Sequence, residues 1–232
     1  MRTLGLIGGM SWESTVPYYR IINRRVAERL GGLHSARLLL WSVDFEPIER
    51  LQHAGDWEQT GRILGDVARR LEGAGAEALV LCTNTMHRVA EAIETPVSIP
   101  LLHIADATAE RIRAAGFTRM GLLGTAFTME QEFYRGRLSA RHGIEIMVPE
   151  AEQRARVHAI IYDELCRGIV REQSRASYRE IIAGLAARGA QGVILGCTEI
   201  SMLVGPQDSP VPLFDTTAIH ADAAAEWSLV EE

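Results

Sequence analysis

The 232-residue chain is 47% apolar and 23% charged, with a formal net charge of −6, ample for a core in one domain or two small lobes. The acidic balance leaves no cation surplus for phosphates, which argues against a nucleic-acid partner. Nor does any run reach the ~20 apolar residues of a membrane span. The chain has no lysine, which excludes a pyridoxal-phosphate Schiff base, a lysine nucleophile and a Walker-type phosphate loop.

Taken in chain order, Leu4–Gly9 reads as a buried strand ending in glycines, and Trp12–Leu30 as a helix capped by Ser11 or Ser14, with Pro17 in its first turn. A strand is expected at Arg37–Val43, a helix at Asp56–Ala74 closed by Gly73 and Gly75, and a strand at Ala78–Cys82. A helix beginning at Thr85, a short strand at Ile99–His103 and a helix at Ala105–Ala115 complete this half. The second half restarts with a strand at Arg119–Gly124, a mostly helical Met129–His142, and a strand at Ile144–Val148. Helices at Glu150–Gly168 and Arg175–Arg188, strands at Gly192–Gly196 and Val211–Phe214, and a helix at Thr217–Trp227 follow. Short apolar runs alternating with helical patterns imply parallel sheets covered on both faces.

The chain also repeats itself. Gly75–Leu81 (GAEALVL) matches Gly189–Leu195 (GAQGVIL), and Gly5–Gly9 (GLIGG) matches Gly121–Thr125 (GLLGT). The expected fold is therefore α/β with two pseudo-symmetric lobes, each a parallel sheet flanked by helices, and an active site in the cleft between them. The first lobe is expected to hold residues 1–102 plus 207–232, so that the last strand and helix return to it, and the second to hold 103–206.

Ligands of parallel α/β sheets bind beyond the carboxyl ends of the strands. Four turns lie there: Gly8-Gly9-Met10-Ser11, Thr83-Asn84-Thr85, Gly124-Thr125 and Cys197-Thr198-Glu199. Each precedes a helix, so backbone N–H groups suited to a carboxylate converge on them. The first turn is not G-x-G-x-x-G, and its match to Gly121–Thr125 favours a lobe feature over a dinucleotide fingerprint. Cys197 follows a buried strand at such a turn, where a helix N-terminus favours thiolate, and is the candidate nucleophile or base. Cys82 ends its strand facing the opposite way from Thr83 and is expected to fill core, as is Cys166 on its helix. Three widely spaced cysteines make no disulfide framework, and no signal peptide is evident after Met1, so a reducing cytoplasm is the expected compartment. The seven histidines lack metal-ligand spacing. His87 alone has site-like placement, with a capping or packing role equally open.

At these turns the sequence resembles the aspartate/glutamate racemase superfamily over essentially its whole length. The motifs are Gly8-Gly9-Met10-Ser11, Thr83-Asn84-Thr85-Met86-His87 and Gly196-Cys197-Thr198-Glu199-Ile200. The resemblance implies a cofactor-independent racemase of two pseudo-symmetric lobes, commonly a homodimer, with no metal. In the family pattern one cysteine stands on each side of the substrate α-carbon. Here the second is Cys197, while the first is replaced by Thr83, with Cys82 one residue too early. This Thr/Cys version resembles the L-aspartate/glutamate-specific branch found in enteric bacteria, as do Gly8–Ser14, Gln52-His53 with Gly55-Asp56-Trp57, and Met129-Glu130-Gln131. The implied substrate is a dicarboxylic amino acid. On this resemblance Thr83 and Cys197 are expected to be the catalytic pair, with Met10, Gln52, Asn84, Thr85, Thr125, Arg167, Thr198 and Glu199 lining the substrate. Arg167 replaces the lysine usual in two-cysteine relatives, and the Pro-Asp-Arg signature after the second strand is missing. Two rivals stay open: a one-cysteine decarboxylase or isomerase of the same superfamily, and a non-catalytic amino-acid-binding protein.

Overall fold

The computed structural model describes residues 1–230. The chain divides into two compact units, Met1–His103 with the segment from His220, and Ile104–Ile219.

The first unit is built on four strands, β1 (Leu4–Gly8), β2 (Leu38–Ser42), β3 (Ala78–Leu81) and β4 (Leu101–Leu102), in the order β2-β1-β3-β4, all parallel. Strand alternation sorts its core into two faces. Ile7, Leu79 and Leu81 pack with Leu64, Val67, Ala68 and Leu71 of helix α3 (Trp57–Gly73), beside α2 (Phe45–Ala54), a 3-10 turn at Thr85–Val89, and α4 (Ala90–Glu94). Leu4, Leu6, Ala78, Val80 and Cys82 face the other way, against Tyr18, Ile22 and Val26 of α1 (Trp12–Leu30) and the alanines of the chain's last helix.

The second unit carries α5 (Ile104–Ala114), β5 (Arg119–Gly124), α6 (Ala126–Glu130), α7 (Glu132–His142), β6 (Glu145–Met147) and α8 (Ala151–Asp163). A 3-10 turn at Leu165–Arg167, α9 (Glu172–Ala187), β7 (Gly192–Gly196), α10 (Ile200–Leu203), a 3-10 turn at Pro206–Asp208, β8 (Leu213–Asp215) and α11 (Thr216–Leu229) complete the chain. Its sheet order is β6-β5-β7-β8, again all parallel.

The internal repeat has an exact structural counterpart. Gly5 pairs with Leu79 and Ile7 with Leu81, while Gly121 pairs with Val193 and Leu123 with Leu195. The two central strand pairs share one register, so position 83 in the first unit corresponds to position 197 in the second.

One expectation is corrected. The last strand does not return to the first unit: β8 pairs with β7 from Val193↔Leu213 to Leu195↔Asp215, and the division falls inside α11 at His220 rather than at residue 207. The Thr216 hydroxyl donates to the Leu195 carbonyl at 2.7 Å, tying the start of α11 to β7. In addition, Phe45–Ala54 is helical, with Asp44 accepting from the Glu46 amide at one end and Gly55 at φ 74° ending it. No helix among the described residues is long and apolar enough to cross a membrane.

Candidate active site

In the first unit the site residues lie where β1 and β3 end. Gly9 has φ 93°, and a Cβ there would meet the Val43 carbonyl oxygen at 2.3 Å, so only glycine fits this turn. Its amide donates to the Thr15 hydroxyl at 2.8 Å, and that hydroxyl donates to the Ser11 carbonyl at 2.9 Å. The turn is thereby fastened to α1. Met10 is buried with Ile48 and Met86, and Gln52 is buried on α2. Thr83, Asn84 and Thr85 are all buried. The Thr83 amide donates to the Leu81 carbonyl at 2.8 Å, and its own carbonyl accepts from the His87 ring Nδ1 at 2.8 Å. Cys82 is fully buried on the α1 face, its sulfur 3.7 Å from the Val80 carbonyl, and burial pushes its thiol pKa up. It is packing, as alternation along β3 requires.

In the second unit, Gly124 and Gly196 pair across β5 and β7, so Thr125 and Cys197 emerge side by side in sequence register. A Cβ on Gly196 would meet Leu122 at 2.8 Å and the Leu123 carbonyl at 3.0 Å. Thr125 is the N-cap of α6, its hydroxyl accepting from the Thr128 amide at 3.3 Å. Cys197 is 8% exposed. Its thiol donates to Glu199 Oε2 at 3.0 Å, the same oxygen that the Thr198 hydroxyl reaches at 2.7 Å. The other oxygen, Oε1, receives the Cys166 thiol at 3.7 Å. Burial and then the Glu199 charge raise the Cys197 thiol well above its ordinary value, and the Cys166 thiol rises for the same reasons. Tyr178 is buried nearby, its phenol also pushed up, first by burial and then by the charges of Cys197 and Cys166.

The Cys197-Thr198-Glu199 turn is therefore one hydrogen-bonded cluster, with one neighbour that the sequence did not announce. Cys166, read as packing, touches the cluster across 33 positions of sequence. Arg167, read as a substrate ligand, is exposed at the end of its 3-10 turn. Only the pairing of α10, the Leu165–Arg167 turn and β7 brings Cys166 in, and no local spacing announces that. No group of three or more His, Cys, Asp or Glu able to hold a metal occurs among the described residues.

Comparisons with known proteins agree with this architecture. A provisionally named Asp/Glu racemase from Yersinia pestis is 58% identical, with 99% of this chain and 100% of that chain covered and a TM-score of 0.93. An aspartate racemase homologue from Pyrococcus horikoshii OT3 is 34% identical over 98% of this chain and 99% of that chain, with a TM-score of 0.84. The broad specificity amino-acid racemase RacX of Bacillus subtilis is 23% identical over 97% of this chain and 98% of its own length. Residues 7–224 match the Asp/Glu/Hydantoin racemase model, and the chain belongs to that family of amino-acid racemases.

Proposed function

We propose that this racemase acts without a cofactor on L-aspartate and L-glutamate, with Cys197 as the base and Thr83 serving the opposite face of the α-carbon. The observation that carries the reading is the 3.0 Å contact from the Cys197 thiol to Glu199 Oε2. A thiol pushed up by burial is a poor base until something takes its proton, and a carboxylate at hydrogen-bond distance can do so. Glu199 accepts the thiol proton as the substrate ammonium arrives. The thiolate removes the α-proton of the L-enantiomer, leaving a carbanion and a thiol. Asn84, Thr85, Thr125 and Thr198, with backbone amides at their turns, hold the α-carboxylate as charge spreads into it. Met10 and Gln52 shape the pocket, and Arg167 is the candidate for the side-chain carboxylate. A hydroxyl ionises far less readily than a thiol, so Thr83 relays a water proton to the second face, the hydroxide left behind takes the proton from Glu199, and the relay works poorly in reverse.

The Yersinia pestis relative, named for aspartate and glutamate, and the Pyrococcus horikoshii relative, named for aspartate, support an acidic substrate. The Bacillus subtilis relative is named for broad specificity, so neutral amino acids belong in the same assay. The test is α-proton exchange in D₂O from each enantiomer separately. Faster exchange from the L-enantiomer, abolished in Cys197→Ala, is expected; exchange surviving in Cys197→Ala would show that the thiol is not the base. CO₂ release from aryl-malonates is the result that would favour a one-thiol decarboxylase.

We also infer a cytoplasmic homodimer. Support for self-association comes from Trp12, Val16 and Tyr19, which form one exposed stripe of α1, continuous with exposed Leu40 on the edge strand β2. That edge (Leu-Leu-Leu-Trp-Ser) carries no charge or proline, the usual guards of an uncovered strand.

A further inference from the structure

Beneath the Thr83 turn lies a buried stack that the reaction scheme above does not use. The His87 and His103 rings lie 4.4 Å apart at 57°, and His87 meets His220 edge-on at 6.0 Å. His220 is fixed at both nitrogens. The Tyr18 hydroxyl donates to Nδ1 at 2.9 Å, because Nε2 already donates to the Leu102 carbonyl at 2.7 Å. His87 is held at Nδ1: a carbonyl can only accept, so the 2.8 Å contact with the Thr83 carbonyl places a proton on that nitrogen. Tyr18, His87, His103 and His220 are all buried within the first unit.

We propose that His87 is the positioning residue for the second face of the reaction, its Nδ1–H holding the Thr83 carbonyl so that the Thr83 hydroxyl is presented in one place. This rests on the reading in which Thr83 serves that face. A weak acid–base group such as a hydroxyl depends on placement more than a thiol does, and misplacement by 1 Å costs roughly 100-fold in rate. Once the Thr83 backbone is held, the stiff χ1 of a β-branched side chain is the one remaining freedom of the hydroxyl. The His103 and His220 rings, packed against His87, keep its imidazole from turning away. Cys197 belongs to the other unit, in the turn that follows β7.

The experiment compares α-proton exchange from L- and D-aspartate in wild type, His87→Ala and His87→Asn, with thermal unfolding of each. The asparagine amide nitrogen sits where Nδ1 sits and can donate to the same carbonyl. His87→Ala is expected to slow exchange from the D-enantiomer about 10- to 100-fold, with the L-enantiomer changed less than about 3-fold. His87→Asn is expected to recover most of the loss. Equal slowing of both enantiomers in either variant overturns the proposal, since a merely structural histidine would weaken both alike. An asparagine variant as slow as the alanine variant also overturns it, because the imidazole itself would then be required. If His87→Ala does not fold, the asparagine variant decides alone: wild-type-like exchange of both enantiomers supports the role, and equal loss refutes it. Wild-type protein that exchanges neither enantiomer overturns the racemase reading instead, and this inference falls with it.

Discussion

Two side chains show how surroundings set chemistry in this protein. His220 is wholly buried, and burial lowers its pKa to about 4, against a smaller upward pull from the Leu102 carbonyl. The unfolded chain holds a proton on this imidazole below the ordinary histidine value near 6.5, and the folded chain does not. Between those two values the unfolded state binds more protons, so stability falls as pH falls. Denaturant unfolding at pH 7 and pH 4 should differ by about 3 kcal/mol from this group, and a His220→Phe variant should lose that part of the slope. Glu199 gives a test with two opposed outcomes. Its charge raises the Cys197 thiol, yet it is also the acceptor for the thiol proton. In Glu199→Gln, Cys197 should be alkylated by iodoacetamide at a lower pH than in wild type. Its α-proton exchange should nonetheless fall by ~10²–10⁴-fold, the usual worth of a positioned proton acceptor. Alkylation that stays at the wild-type pH would show that the carboxylate does not govern the thiol.

Elements were legible to the degree that their signals are local. The strands of a doubly covered parallel sheet read as unbroken apolar runs, and β1, β3, β5 and β7 stand out for that reason. Helix α2 was not legible, although its cap Asp44 and its stop Gly55 were both present, because Pro47 in its first turn reads equally well as a loop. The fate of β8 was not legible either, since which sheet a strand joins is a long-range matter. The placement of Thr83 and Cys197 just past the ends of β3 and β7 was legible from the strand-to-helix turns and the repeat. Cys166 and the His87–His103–His220 stack were not, because contacts separated by tens of residues leave no mark on spacing. The element most sensitive to change should be the turn after β1. Gly9→Ala must adopt φ near 93° with its Cβ 2.3 Å from the Val43 carbonyl. Strain and overpacking together should cost on the order of 3 kcal/mol, read as a lowered denaturation midpoint at unchanged m-value.

For the whole molecule, the exposed stripe of α1 bears on assembly. Sedimentation should find a dimer in wild type and a monomer in a Val16→Asp, Tyr19→Glu double variant, with unaltered circular dichroism. A wild-type monomer would sink the homodimer inference.

The shared register of the two central strand pairs has a consequence for stereochemistry. Positions 83 and 85 of one half correspond to positions 197 and 199 of the other, and the chain fills them with Thr-x-Thr on one side and Cys-x-Glu on the other. Handedness of substrate choice would then reside in these four side chains rather than in the scaffold, whose two sheets repeat one strand order. Exchanging them, with Thr83→Cys and Thr85→Glu in one half and Cys197→Thr and Glu199→Thr in the other, should reverse the proposed preference for the L-enantiomer without altering the fold.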